Sequence, residues 1–121
     1  MFVNFTNHPS RLWSEKQREA AEKSGEIRDI PFPAVPPDWS IQQVAALAHE
    51  YAEQILNLHP DAVLCQGEMT MTYQVVSRLL KAGIPVFSAC SDRSVEEIRL
   101  PDGSMQKTAH FVFVAFREYS D

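Results

Sequence analysis

The chain has 121 residues, is 45% hydrophobic and 22% charged, and carries a formal net charge of −5. That length suits one domain with a real core. The acidic balance argues against broad phosphate-driven binding of long nucleic acid, although one local pocket for a small anion stays open. No apolar run reaches about 18 residues, so no membrane-spanning helix is expected. The N-terminal MFVNFTNHPSR lacks a basic segment followed by a long apolar one, so no signal peptide is expected and the reading is cytoplasmic.

Phe2–Thr6 reads as a first strand, stopped by Asn7, His8, Pro9 and Ser10. Ser14 opens a capping box with Gln17, and a thinly apolar helix runs to about Ser24, with Gly25 as its stop. Glu26–Phe32 is a second strand. Pro31, Pro33, Pro36 and Pro37 then enforce a stiff extended loop across the end of the sheet. Ser40 and Gln43 form another capping box. The following helix has a regular apolar stripe through Ile41, Val44, Ala45, Leu47, Ala48, Tyr51, Ala52, Ile55 and Leu56.

Ala62–Cys65 is a short apolar run that suits a strand buried on both faces. Gly67 breaks it, and a helix resumes through Tyr73, Val76, Leu79 and Leu80 to Lys81 and Gly83. Ile84–Ala89 is a fourth strand, with Cys90–Ser94 as the loop beyond it. Val95–Leu100, the turn Pro101-Asp102-Gly103 and Met105–Tyr119 read as a β-hairpin. The second arm is apolar on both faces, which places it inside or against the sheet, or in a partner interface. The expected fold is α/β: a three-layer, Rossmann-like, mostly parallel sheet with a C-terminal hairpin. Cys65 and Cys90 read as reduced core thiols, and the scattered histidines do not suggest a metal site.

In such sheets ligands bind beyond the carboxyl ends of the strands. If the first, third and fourth strands are neighbours, their rims bring together Asn7, His8 and Ser10; Gln66, Gly67 and Glu68; and Ser91 and Arg93. Thr70 lies at the start of the following helix, and the hairpin adds Lys107 and Arg117. These amides, hydroxyls and cations suit phosphate oxygens and nucleobase edges. Each has a plainer use: Arg93 pairing with Glu96 or Glu97, Glu68 complementing a helix N-terminus, Lys107 solvated on a strand. No GxGxxG or GxxxxGK[ST] signature is present.

The ordered segments NFTNHPSRLWSEKQ, LCQGEMTMTY, SACSDRSVEE and HFVFVAFREY together resemble small stand-alone CRISPR-associated proteins of the Csx type. The resemblance spans nearly the whole chain. It rests on Asn7 and His8, on Gln66, Gly67 and Glu68, on Ser91 and Arg93, and on Phe111, Phe116, Arg117 and Tyr119. The chain departs from it at Met69 and Thr70, where small residues are expected. The resemblance implies a CARF-like Rossmannoid fold, a homodimer, and a cyclic oligoadenylate as ligand, with no cofactor. It implies a ring nuclease, in which the ribose 2′-hydroxyl attacks the adjacent 3′-phosphate without a metal. Arg93 would then stabilise the phosphate, and His8 or Glu68 would move protons. Asn7, Ser10, Gln66, Gly67, Thr70, Ser91, Lys107 and Arg117 would hold the ligand. A non-catalytic sensor of the same ligand is one rival reading. A deoxyribosyltransferase-like enzyme with Glu68 as nucleophile is another.

Overall fold

The computed structural model describes residues 1–121. The elements follow in the order β1 (Phe2–Phe5), α1 (Glu15–Glu22), β2 (Ile27–Asp29), α2 (Ile41–Leu56), β3 (Ala62–Cys65), α3 (Met69–Lys81), β4 (Val86–Arg99) and β5 (Met105–Glu118). A short 3-10 turn, Ser10–Leu12, precedes α1. The five strands form one sheet in the order β2-β1-β3-β4-β5, parallel except for the antiparallel β4–β5 pair. This is the expected Rossmann-like α/β layout.

Alternation along the strands sorts side chains into two cores. Val3, Phe5, Val63, Cys65 and Val86 face α2 and α3, whose Val44, Ala48, Ile55, Val75 and Leu79 cover them. Phe2, Ala62 and Leu64 face the other way, onto Trp13 and Ala21 of α1 and its approach. The sheet thus lies between one helix and two. Burial pushes the Cys65 thiol up to about 12, as expected for a closed apolar core.

The N-termini of the helices are set locally. Ser40 and Gln43 make the reciprocal capping box of α2, while Ser14 accepts from the Gln17 N–H at α1. The Pro-rich segment crosses the sheet end as expected, and it remains tied to β1 through Ile30 and Phe32, whose N–H groups donate to Asn4 and Thr6 carbonyls. Regular strand β2 ends at Asp29 rather than at Phe32, although these two bonds carry the contact with β1 further; Pro31 and Pro33 fall at the alternate positions that face the open edge, where no N–H is needed.

The largest departure from expectation is β4. Cys90–Ser94 is strand, not loop, and pairs continuously with β5 from the Phe87–Glu118 rung to Arg99–Met105, with one bulge at Cys90/Ser91. Pairing with β3 stops at Leu64–Phe87. Everything beyond is a two-stranded arm projecting from the sheet. The apolar run of β5 is therefore mostly exposed, with Phe113 buried and Phe116 half-buried. Polar residues resemble a loop when an arm presents both faces to solvent, because pairing is non-local and leaves no alternating pattern. Asp102 accepts from the Ser104 N–H and hydroxyl at the tip, which closes the turn and holds the Asp102 carboxyl below its usual range.

Gly67 packs where nothing larger fits. A Cβ at this position would fall inside the van der Waals shell of the Phe32 ring, itself stacked on Phe5 at 4.8 Å. Gly67→Ala is expected to cost about 1–3 kcal/mol in urea unfolding. Phe32→Leu in the same chain should recover part of that loss, and equal losses in both backgrounds would refute the packing account.

Candidate functional site

The strand order reverses direction between β1 and β3: the chain leaves β1 toward β2, then returns across β1 to β3. In doubly wound sheets ligands sit at that switch point. Asn7 and His8 follow β1 here, and Gln66 and Gly67 follow β3. They line one cavity of about 850 Å³, together with Ser91 of β4 and the aromatic side chains Trp13, Phe111 and Phe113. Phe111 is 73% exposed at the mouth. The lining includes no lysine or arginine.

The first wall is held by a buried polar knot. Asn4 lies on interior strand β1 and is 1% exposed. Its Nδ2 donates to the His8 carbonyl and to Asp29 Oδ1, both at 3.0 Å. Its Oδ1 accepts from the Thr6 hydroxyl at 2.8 Å, and Thr6 Oγ1 in turn accepts from the His8 N–H. Trp13 Nε1 donates to the same His8 carbonyl at 3.1 Å. The Ser10 N–H and hydroxyl both donate to Asp29 Oδ2 at 3.1 Å. The backbone of residues 8–10 is thereby fixed on all sides, while the His8 imidazole stays exposed and takes part in none of these bonds.

The second wall depends on Gln66. Its Oε1 accepts from the Ala89 N–H at 2.6 Å, replacing the backbone partner that β4 loses when β3 ends. That bond leaves the amide Nε2 as a donor at the rim. Gln66 and Gly67 also border a second cavity of about 520 Å³ on the opposite face, between α3 and the segment Tyr119–Asp121.

The other residues expected at the site divide clearly. Arg93 stands two rungs beyond Ser91, opposite Phe111, so it lies at the cavity margin on the same face of the arm. Ser10 is committed to Asp29. Glu68 is the N-cap of α3: its carboxylate accepts from the Thr70 N–H, the Met71 N–H and the Thr70 hydroxyl. The Met71 N–H, then the Thr70 hydroxyl and N–H, hold the Glu68 carboxyl below its usual range. Glu68 and Thr70 thus satisfy each other, and the N-terminal donors of α3 that an anion would use are already occupied. Lys107 lies far out on the arm, paired with Glu97 at 3.5 Å. Arg117 is opposite Ser88, which borders the second cavity.

Asn4, Thr6, Asp29, Trp13 and Phe113 are the structural residues that sequence reasoning did not single out. Asn4 had a usable signal: a polar residue inside the apolar strand FVNFT has to find partners. No group of three or more His, Cys, Asp or Glu side chains is placed to hold a metal ion, and no helix is long and apolar enough to cross a membrane.

The model of the uncharacterized protein MJ1673 family matches residues 1–117, so the chain belongs to that family. Comparison with curated proteins and with solved structures finds no match.

Asn4→Ala removes a buried amide that donates to the His8 carbonyl and Asp29 and accepts from the buried Thr6 hydroxyl, and is expected to destabilise the fold by about 1–3 kcal/mol in urea unfolding. An unchanged midpoint would show that the knot is incidental. Glu68→Ala should cost about 1 kcal/mol at pH 7, as loss of a helix cap does. Because the folded carboxyl titrates below its ordinary 4.5, this contribution is complete above pH 4.5 and lost as pH falls through the folded value. The wild-type and variant curves should therefore converge in acid. A gap that persists below that range would mean the cap does not act as a carboxylate.

Proposed function

We propose that this member of the MJ1673 family binds a cyclic oligoadenylate in the switch-point cavity and opens it as a metal-independent ring nuclease. The observation that carries the reading is the lining itself: side-chain amides, an imidazole and a hydroxyl face aromatic surfaces across one cavity of about 850 Å³. Amides and hydroxyls suit base edges and ribose, and an exposed ring such as Phe111 suits an adenine face. The resemblance to Csx-type proteins points to the same ligand.

In the proposed reaction a ribose 2′-oxygen forms a bond to the adjacent phosphorus, and the bond from phosphorus to the 5′-oxygen breaks. The 2′-hydroxyl proton leaves to a base, and the departing 5′-oxygen takes up a proton. The products are a 2′,3′-cyclic phosphate and a 5′-hydroxyl. Catalysis then rests on in-line placement and on stabilising charge at the phosphoryl group. His8 is the candidate for proton transfer, since imidazole is the side chain most often used for that task and this one lines the cavity while its backbone, not its ring, is held. Arg93 at the margin is the candidate for the phosphate. Asn7, Gln66 and Ser91 position the nucleotide. Glu68 is not carried forward as nucleophile or base, because its carboxylate is engaged at the α3 cap.

Purified protein incubated with cyclic tetra-adenylate in EDTA should yield linear products ending in a 2′,3′-cyclic phosphate. His8→Ala and Arg93→Ala should each slow turnover by about 10²-fold. Glu68→Gln should cost less than either. Ligand that binds but stays intact at excess protein would replace the nuclease with a sensor. Absence of binding would overturn the ligand assignment.

A further inference from the structure

The arm beyond Phe87 poses a physical problem that one chain does not solve. β4 has no strand on its β3 side there, β5 is the sheet edge, and both faces carry exposed apolar side chains, including Val95 (54%) and Val112 (56%). An isolated two-stranded ribbon is marginal in water, and open edges invite pairing. From Ser91 to Arg99 the arm extends about 26 Å at about 3.3 Å per residue.

Residues directly opposite in an antiparallel pair share a face, as do alternate residues along a strand. Ser91, Phe111 and Phe113 line the cavity, so that face continues outward as the rungs Ser91/Phe113, Arg93/Phe111, Val95/Ala109, Glu97/Lys107 and Arg99/Met105. The series is self-complementary about its middle. A two-fold axis through the Val95/Ala109 rung, running across the ribbon, lays each strand on its own copy in reverse. Arg93 then meets the partner's Glu97, and Phe111 meets the partner's Lys107, a cation on an aromatic face. Ser91 meets the partner's Arg99. Ala109, small and exposed, permits close approach at the crossing.

We propose that two copies pair arm on arm about this axis, so that Arg99 and Lys107 of each copy roof the switch-point cavity of the other. The pairing answers two needs together. It covers the unpartnered apolar face, and it brings cations to a cavity whose own lining has none. The meeting face carries Arg93, Arg99 and Lys107 against Glu97, while Asp92 and Glu96 of the same arm lie on its other face. The ten residues of the arm face, with the cavity margin they roof, make a small interface, below the about 20–30 residues a side of standard complexes. The bodies lie at opposite ends of the crossed arms and do not collide.

The roofing rests on the ligand reading above; the pairing does not. Sedimentation of the full chain at about 100 µM should show a dimer, well within reach for an interface of this class. Arg93→Glu and Glu97→Arg should each weaken it by at least about tenfold, since like charges then face across the axis. The double variant should recover most of the wild-type affinity. A monomeric wild type, single variants that dimerise normally, or a double variant no better than the singles would overturn the pairing. Cyclic tetra-adenylate binding by calorimetry tests the roof. Arg99→Ala, which removes no contact of the pairing beyond the partner's Ser91, should leave the dimer intact and weaken binding by about tenfold. Unchanged affinity would remove the roof. A wild type that dimerises but binds no cyclic tetra-adenylate would refute the ligand reading and, with it, the roof, leaving the pairing supported.

Discussion

The His8 carbonyl is the constraint on which the site depends. It accepts from Asn4 Nδ2 and Trp13 Nε1, while the His8 N–H donates to Thr6. Asn4 belongs to β1, Thr6 lies just past its end, and Trp13 stands on the approach to α1. Strand, loop and helix are locked by one polar group. A buried acceptor left without donors costs more than a hydrogen bond gains, so the knot works by making alternative loop conformations expensive. The consequence for chemistry is indirect but definite. With its backbone held from several directions, His8 presents an imidazole free of internal hydrogen bonds at the end of interior strand β1.

The opposite wall is built from a different material. Gln66 stands in for a missing strand residue by accepting from Ala89, and Gly67 yields its side-chain space to Phe32. One residue extends the sheet by a side chain, and the next lets the Pro-rich segment close over the core. Both also border the two cavities, so the rim after β3 divides the spaces on either face of the sheet. The point where β4 leaves β3 is also where the arm begins. The same break in pairing that calls for Gln66 releases a ribbon whose faces are unsatisfied within one chain.

Residue type alone was a poor guide to role at this rim. Glu68 and Thr70 have the chemistry of a catalytic or anion-binding pair, yet each consumes the other's capacity at the α3 cap. Ser10 likewise spends its hydroxyl on Asp29. Lys107, a cation expected among the site residues, is carried along the arm away from the cavity of its own chain. Asn7, His8, Gln66 and Gly67 do converge, because each follows a strand that ends at the same edge of the sheet, and Ser91 joins them from within β4, just past the point where β3 stops.

The sequence by itself determined what local chemistry dictates. Capping serines placed the starts of α1 and α2, the short apolar run placed β3, and the order of strands and helices required a layered, mostly parallel sheet. It also placed Asn7 and Gln66 at strand ends, from which their convergence follows once β1 and β3 are neighbours; Ser91, expected in a loop, reaches the same cavity from inside β4. Only the tertiary structure decided that Asn4 holds the rim together, that Phe32 excludes a side chain at Gly67, and that Cys90–Ser94 belongs to a long arm. Those outcomes depend on partners far away in the chain. A hydrogen bond from β1 to β2, a ring from the Pro-rich segment and a ladder closed at the Asp102 turn all join residues that no local pattern connects.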